Sequence, residues 1–224
     1  KATVAVQGTE GAYSQSACDK LFSLPNIMYF KNFENIFSAI ECGMCKYGIL
    51  PIENNTAGSV NKVYDLMMSH NFYIVRSIRI KIDHMLLSKK GVVMSDIKEI
   101  VSHEQAINQC SKFLSLHKDI KVTVFENTAK AAEFVAKSDR NDLAAIASEG
   151  CCGLYSLSPL AKNIQNSDNN FTRFICISKN LEIYSGASKT SMMMTLPHKP
   201  GSLYNILSKF YLYNVNITKL ESRP

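Results

Sequence analysis

A hydroxyl and a guanidinium stand side by side at Thr172 and Arg173, just before the apolar run 174–177. The β-branched and apolar residues of this run predict a strand. Successive strand residues face opposite sides, so both side chains reach one ligand only where the strand opens with a bend or bulge. Asn169 and Asn170 are turn formers and can supply that bend. A hydroxyl beside a planar five-donor cation suits a small substrate that carries a carboxylate.

Polar residues also follow two other predicted strands. The strand at 48–52 runs into a hydroxyl- and amide-rich set at 53–59, and the strand at 3–7 runs into a glycine-bearing loop that reaches Ser14. Ligands of α/β sheets lie beyond the carboxyl ends of strands, and a helix start offers N–H groups to anions. Ser14 is either a helix N-cap or a ligand-binding group. The loop lacks the glycine patterns of nucleotide sites.

A fourth polar group opens the helix that follows the strand predicted at 97–102. Ser102 is the predicted N-cap, with Gln105 at the capping-box position. His103 at a helix N-terminus is disfavoured as a cation, so a neutral imidazole is expected. Gln105 and Gln109 are four residues apart and share a helical face.

The intervening pattern alternates strands with helices, which predicts an α/β fold with a mainly parallel sheet. The extended segment 72–88 alternates apolar and polar residues and is long enough to pass from one lobe to another. After a linker at 179–188 the pattern begins again, with a strand at 190–196, a helix from 200 to 213 and a strand at 216–221.

Composition narrows the function classes. The 224 residues are 46% hydrophobic and 20% charged, and the net charge of +6 is scattered, which favours an anionic small molecule over nucleic acid. No signal peptide and no apolar run near 18 residues is found, so we expect a cytoplasmic chain whose seven cysteines are reduced. Cys42 and Cys45 have the spacing of half a zinc site, but no second pair completes it, so we interpret them as structural.

These motifs resemble those of the prephenate dehydratase family, and the resemblance covers the whole chain. The matching segments, in order, are Gly8–Ser14, Pro51-Ile52-Glu53-Asn54 with Gly58-Ser59, Ser102-His103-Glu104-Gln105 with Gln109, and Thr172-Arg173-Phe174. Segments such as Ile82-Asp83-His84 look closest to bacterial bifunctional chorismate mutase–prephenate dehydratases. Glu104 stands where many relatives have proline; both residues suit the first turn of a helix.

The resemblance implies a two-lobe α/β domain, like the periplasmic binding proteins, with the active site in the cleft. This domain is expected at 1–180, with lobe one at 1–76 and 160–180 and lobe two at 77–159. Residues 188–224 resemble the start of a βαββαβ ACT regulatory domain (α+β). Its phenylalanine-binding motifs match Gly201, Ser202, Leu203, Glu221, Ser222 and Arg223. We expect any mutase domain to lie upstream of Lys1.

The resemblance also implies a reaction: prephenate loses its ring hydroxyl as water and a carboxylate as CO2, and aromatisation drives the step without a cofactor. Thr172 matches the family's catalytic threonine, and either His103 or Glu53 is expected to relay a proton to it. Arg173 is the expected clamp for the side-chain carboxylate. The other expected substrate-binding residues are Asn54, Gln109, Ser14, Ser59 and Phe174.

Two alternative functions stay open at the level of sequence. Arogenate dehydratase performs the same chemistry on the amino analogue, and a non-catalytic two-lobe binding or sensor protein has the same fold. Thr172 argues against a pure binder, because a dianion would gain more from a second cation. The expected partners are prephenate, the effector L-phenylalanine and further copies in a homodimer or dimer of dimers, without nucleic acid or membrane. If the chain ends at Pro224, phenylalanine is expected to inhibit weakly or not at all.

Overall fold

Two separate β-sheets organise the first part of the chain. A computed structural model describes residues 2–222, which divide into two units after Ala187. The strands are β1 Thr3–Gln7, β2 Asn26–Phe30, β3 Tyr47–Asn54, β4 Gly58–Ser59, β5 Tyr73–Lys81, β6 Met85–Ser88, β7 Glu99–His103, β8 Lys121–Phe125, β9 Leu143–Ala147, β10 Ser158–Ala161 and β11 Phe171–Ser178. The helices are α1 Tyr13–Leu21, α2 Phe33–Glu41, α3 Asn61–Ser69, α4 Glu104–Gln109, α5 Ser111–Ser115, α6 Thr128–Lys137, α7 Gly150–Leu154 and α8 Ser202–Leu212, with a 3₁₀ turn at Met94–Asp96.

The first sheet has the strand order β2-β1-β3-β11-β5, and the short β4 pairs with the end of β3. The second sheet has the order β10-β6-β9-β7-β8. β1 is parallel to β2 and β3, whereas β11 is antiparallel to both β3 and β5. The second sheet also combines parallel and antiparallel pairs. The predicted two-sheet α/β architecture is therefore confirmed, but the prediction of a mainly parallel sheet is wrong because returning strands enter both sheets antiparallel.

The chain crosses between the sheets at 82–84 and returns at 162–170. The segment predicted as one long strand at 72–88 is two strands, β5 and β6, separated by these three crossing residues. β5 belongs to the first sheet along its whole length, and β10 belongs to the second sheet. On both crossings, the chain therefore leaves one sheet for the other at a later residue than the predicted lobe boundaries at 77 and 160. The two crossings lie side by side, because Ile82 N donates to Asn170 O at 2.8 Å and Ile164 N donates to His84 O at 3.0 Å.

Helices cover the sheets with apolar faces, and local caps fix where two of them begin. The side chain of Asn32 accepts from Asn35 N ahead of α2, and that of Asn127 accepts from Lys130 N ahead of α6. α2 buries Ile36, Phe37 and Ile40 against the first sheet, while α6 buries alanines and Val135 against the second. These packed helices hold the strand ends that carry the polar loops.

The second unit is described on its own. Its helix α8 begins after Gly201, which has φ +84°, a conformation that glycine adopts without a steric cost. Neither of the two strands predicted at 190–196 and 216–221 is formed among the described residues. A strand needs a hydrogen-bonded neighbour, and the predicted pair did not supply one within this unit.

Candidate active site

Asn54, the last residue of β3, is the centre of the polar site. Its Oδ1 accepts from the backbone nitrogens of Thr56 and Ala57, both at 2.9 Å, and from Thr56 Oγ1 at 2.7 Å. Its Nδ2 lies 2.8 Å from Asn170 Oδ1, 3.2 Å from Phe171 O and 2.9 Å from Thr172 Oγ1. The two backbone donors settle which end of the amide is oxygen, so the nitrogen must face Thr172.

This orientation decides what the Thr172 hydroxyl can do. An amide nitrogen donates and does not accept, so Thr172 Oγ1 is the acceptor in its bond with Asn54. The hydroxyl hydrogen of Thr172 is consequently not used in that bond. The strand register fixes this pairing, because Thr172 lies directly opposite Asn54. The sequence predicted that these two residues meet, and the structure brings them into contact.

Arg173 lies opposite Glu53 in the same strand pair, with its Nε 2.7 Å from Glu53 Oε1. The Nε–H does not point along this contact, and the buried Nε has no hydrogen-bond partner. The two groups therefore form an ion pair without a well-directed hydrogen bond.

The predicted bend before Thr172 is absent. Thr172 and Arg173 pair with the consecutive residues Asn54 and Glu53, so the two side chains face opposite sides of the sheet. The register shifts only between Arg173 and Phe174. A bulge at that point lies beyond both residues, so it cannot turn the side chains of Thr172 and Arg173 toward the same face.

A cleft of about 460 Å³ opens beside this strand end. Three segments form its wall: the turn after β3, the start and face of α4, and the returning crossing. Its lining residues are Thr56, Ala57, His103, Glu104, Gln105, Asn108, Gln109, Gln165, Asn166, Ser167 and Asn170. His103 and Gln109 are the predicted site residues in this wall. Thr172 is not part of the lining and connects to it through Asn54.

The start of α4 is built differently from the prediction. His103 is the N-cap, and its Nδ1 accepts from Gln105 N at 3.2 Å. Ser102, the predicted cap, is fully buried and donates to Ile146 O at 2.7 Å. Ser102 is the fourth residue of β7, and its hydroxyl is bonded to a carbonyl of the neighbouring strand β9 and not to the helix. An Nδ1 that accepts this bond carries no hydrogen.

Gln109 joins α4 to the turn after β3. Its Nε2 donates to Thr56 Oγ1 at 3.1 Å, and its Oε1 lies 2.9 Å from His84 Nε2. His84 is buried in the first crossing, and burial lowers its pKa. Sequence reasoning proposed no role for Thr56 or His84. Thr56 lay within the hydroxyl-rich set at 53–59, whereas a single histidine in an extended run gave no comparable pattern.

Three further predicted residues lie outside the cleft lining. Ser14 is a buried residue in the first turn of α1, whose N-cap is Ala12, so the prediction of Ser14 as N-cap is wrong. Ser59 pairs with Glu53 across the short β4. Phe174 is 3% exposed and packs in the core with residues of β1 and α1. The prediction that Phe174 contacts substrate is therefore wrong, because its strand position turns the ring into the core.

The residues predicted to bind phenylalanine belong to the second unit. Gly201 precedes α8, Ser202 begins it, and Leu203 is half exposed. Glu221 and Ser222 lie at the end of the described residues without regular structure, and Arg223 lies outside them.

Residues 2–222 form neither a cluster of metal ligands nor a membrane-spanning helix. Within that range, no three histidine, cysteine or acidic side chains are grouped so that they could hold a metal ion. Cys42 is exposed and Cys45 is buried, with its thiol donating to Met28 Sδ at 3.6 Å. Across the same residues, no helix has both the length and the apolar character needed to cross a bilayer.

Comparison with known proteins gives consistent matches. The family model described as prephenate dehydratase matches residues 4–182. Arogenate dehydratase/prephenate dehydratase 2, chloroplastic, of Arabidopsis thaliana is 38% identical over 224 residues, covering 99% of this chain and 58% of that protein. The bifunctional chorismate mutase/prephenate dehydratase of Escherichia coli (strain K12) is 33% identical over 229 residues, covering 100% of this chain and 59% of that protein.

A solved structure agrees with these matches. Prephenate dehydratase from Arthrobacter aurescens, in complex with L-Phe, has a TM-score of 0.85 and 25% identity, covering 99% of this chain and 76% of that one. The chain spans a little under three fifths of the length of these curated relatives.

Proposed function

Because the chain belongs to the prephenate dehydratase family, we propose that it converts prephenate to phenylpyruvate. In this reaction the bond between the ring and its carboxylate breaks and its electron pair moves into the ring. The carbon–oxygen bond to the ring hydroxyl then breaks, and that hydroxyl takes a proton and leaves as water. CO₂ is the second product, and no electron donor or acceptor is consumed. The enzyme must therefore hold a dianion and assist the departure of one hydroxyl.

The observation that carries this proposal is the acceptor role of Thr172 toward Asn54. Because Asn54 Nδ2 donates to Thr172 Oγ1, the threonine hydrogen is available to the leaving hydroxyl of the substrate. The Asn54 orientation is set by two backbone N–H groups, so the hydrogen is held ready before the substrate binds. A threonine hydroxyl is a very weak acid, so its proposed role is hydrogen-bond donation.

The proton that leaves with the water needs another source. His103 is the candidate that lines the cleft; when its Nδ1 releases the capping bond and takes a proton from solvent, the cationic ring can pass its Nε2 proton to the leaving hydroxyl and return to the neutral form. Glu53 forms an ion pair with the Arg173 guanidinium. We therefore assign the relay to His103, and to the carboxylate of Glu53 the role of holding Arg173.

Arg173 remains the proposed ligand of the side-chain carboxylate. None of the described residues that line the cleft is lysine or arginine, so a dianionic substrate needs a cation from beyond the lining. Arg173 is adjacent to Thr172, and its Nε is buried without a hydrogen-bond partner. Its five-donor fork can contact Glu53 and a carboxylate together. The side chain must extend around the end of the strand to do so.

Arogenate is the second candidate substrate. The Arabidopsis relative carries both activities in its name, and the amide-rich cleft wall does not distinguish a keto group from an amine.

Regulation by phenylalanine is a further part of the proposal, supported by the L-Phe complex of the Arthrobacter protein. We place that function in residues 188–224, as the start of an ACT domain, and the chemistry in residues 1–180.

A direct assay tests the proposal. Purified protein, treated with a chelator and given no nucleotide, should form phenylpyruvate from prephenate. Arogenate should be supplied in parallel with detection of phenylalanine, and the ratio of the two kcat/KM values identifies the preferred substrate. Spontaneous acid-catalysed breakdown of prephenate requires a buffer control at the same pH. Turnover of neither substrate would refute the proposed function.

A further inference from the structure

His84 connects to Thr172 through a continuous set of side chains. The distances along it are 2.9 Å from His84 Nε2 to Gln109 Oε1, 3.1 Å from Gln109 Nε2 to Thr56 Oγ1, 2.7 Å from Thr56 Oγ1 to Asn54 Oδ1 and 2.9 Å from Asn54 Nδ2 to Thr172 Oγ1. These groups come from the first crossing, α4, the turn after β3 and the ends of β3 and β11. Of these groups, Thr56 and Gln109 line the cleft.

The direction of every bond follows from the backbone. Thr56 N and Ala57 N can only donate, so they mark the Asn54 oxygen. The Thr56 hydroxyl must donate its one hydrogen to this oxygen, so its Oγ1 must accept from Gln109. Gln109 therefore presents its nitrogen to Thr56 and its oxygen to His84. That oxygen can only accept, so His84 Nε2 must carry the hydrogen.

The surroundings of His84 agree with a neutral ring protonated at Nε2. Tyr13 OH donates its hydrogen to Asp83 O at 2.6 Å and lies 3.4 Å from His84 Nδ1, too far for a strong bond. Burial raises the pKa of Tyr13, so this hydroxyl keeps its hydrogen. Burial lowers the pKa of His84, against a smaller opposing effect of Gln109 and of the Asp83 carboxylate, which pairs with Lys81 at 2.8 Å.

We propose that His84 is a positioning residue that holds Gln109 in place, and through Gln109 and Thr56 supports the Asn54 amide in the orientation that keeps the Thr172 hydroxyl a donor. Gln109, Thr56 and Asn54 each accept a hydrogen bond from the preceding side chain and donate one to the next. Hydrogen bonds linked in this way strengthen one another. The catalytic part of this inference rests on the proposed function, in which Thr172 donates a hydrogen bond to the leaving hydroxyl of the substrate. His84 itself does not touch Thr172, and it reaches the cleft wall only through Gln109.

A kinetic cycle tests the coupling. His84→Leu removes the donor, and kcat should fall about tenfold, the rate equivalent of one neutral hydrogen bond, with KM nearly unchanged. His84→Gln can place an amide N–H near the Nε2 position and should recover most of kcat. In a Gln109→Met background the chain is already broken, so adding His84→Leu should change kcat by less than about twofold. Multiplicative losses in the double variant would overturn the proposal.

A second readout does not depend on activity. Long-range ¹H–¹⁵N correlation spectra report which ring nitrogen carries hydrogen, and His84→Gln identifies the His84 signals by their loss. The Nε2–H form is expected at pH 7; the Nδ1–H form or a cation would overturn the proposal. His70→Asn, which removes a half-buried histidine paired with Glu41, controls for general loss of stability. If the wild type turns over neither substrate, the proposed function fails while this spectrum still decides the state of His84.

Discussion

Single residues at this site act through hydrogen-bond direction more than through charge. Asn54, Gln109 and Thr56 are neutral, and each has only one arrangement of donors and acceptors that satisfies its neighbours. A neutral chain holds a hydroxyl without attracting the carboxylate that must depart as CO₂. The cation of the motif, Arg173, is paired with Glu53 on the other side of the strand.

Replacing Thr172 with valine tests the hydroxyl at nearly constant volume. We expect kcat to fall at least ~100-fold, the usual scale for losing a positioned proton-handling group, with little change in KM. Steady-state formation of phenylpyruvate measures both constants. Thr3→Val, which makes the same change in β1 of the same sheet, should retain full turnover. An unaltered kcat in Thr172→Val would remove this residue from the chemistry.

Replacing Arg173 with lysine keeps the positive charge and removes the planar guanidinium, whose several N–H groups can contact two carboxylates at once. A single ammonium cannot serve Glu53 and a substrate carboxylate with the same geometry, so KM should rise about tenfold while kcat changes little. The matched control is Arg79→Lys, because Arg79 is the exposed neighbour of Arg173 on β5 and rests on the Phe171 ring. Equal losses in kcat and kcat/KM would assign Arg173 to the chemical step.

At the scale of elements, the site depends on strand ends that are held in register. β3 and β11 form the antiparallel pair that sets Thr172 opposite Asn54, and the two crossings are hydrogen-bonded to one another beside it. The second sheet supplies α4 through β7. Interactions that fix β7 against its neighbours therefore help to place His103 and Gln109.

One such interaction is Glu99 at the start of β7. Its carboxylate accepts from Thr123 of β8 at 2.6 Å and from Arg140 at 2.8 Å, and these contacts lower the pKa of Glu99 to about 2. Since the folded-state pKa is depressed, the stabilisation is present above the ordinary value near 4.5 and is lost as pH falls toward 2. Because Lys121 and Arg140 are exposed, we expect about 1 kcal/mol.

Thermal unfolding between pH 7 and pH 3 measures this effect. Glu99→Gln should lower Tm by about 2–4 °C at pH 7, and the difference from wild type should shrink as the pH is lowered. Asp119→Asn, which neutralises an exposed carboxylate in the loop before β8, should not show this narrowing. A Tm difference that is the same at both pH values would mean that Glu99 acts through packing.

Motif chemistry predicted a large part of the site. Asn54, Gln109 and Thr172 were expected around one site; Asn54 contacts Thr172 directly, and Gln109 is linked to Asn54 through Thr56. The alternation of residues 72–88 also predicted passage between lobes. These features are local in sequence, so the pattern of one segment was enough to find them.

The features that sequence reasoning missed depend on distant partners. The proposed role of His84 depends on its contacts with Gln109 and Tyr13. No spacing in the sequence indicates that these residues lie next to His84. Thr172 and Arg173 face apart because the pairing of β11 with β3 stays regular until after Arg173, and this depends on the partner strand. Ser102 satisfied a capping pattern, yet the neighbouring strand β9 offered its hydroxyl a buried carbonyl instead.

At the scale of the whole molecule, the candidate active site and the segment that resembles a regulatory domain belong to different units. Among the described residues 2–222, the four apolar cores are formed by buried residues between Val4 and Ile177, all before the division after Ala187. In the second unit the large apolar residues are largely exposed, among them Met192, Leu203, Tyr211 and Leu220. The first unit therefore contains both a complete set of cores and the candidate site.

Removing residues 188–224 tests this division. The shortened chain, 1–187, should unfold cooperatively and keep kcat/KM within about twofold of the full chain, because every core and site residue is retained. Any response to phenylalanine in the 224-residue chain should disappear, since all residues matching the phenylalanine motifs lie beyond position 200. Calorimetric titration with phenylalanine measures binding, and circular dichroism establishes folding. A folded 1–187 chain without turnover would show that the second unit contributes to catalysis, and phenylalanine binding by that chain would place the effector site in the first unit.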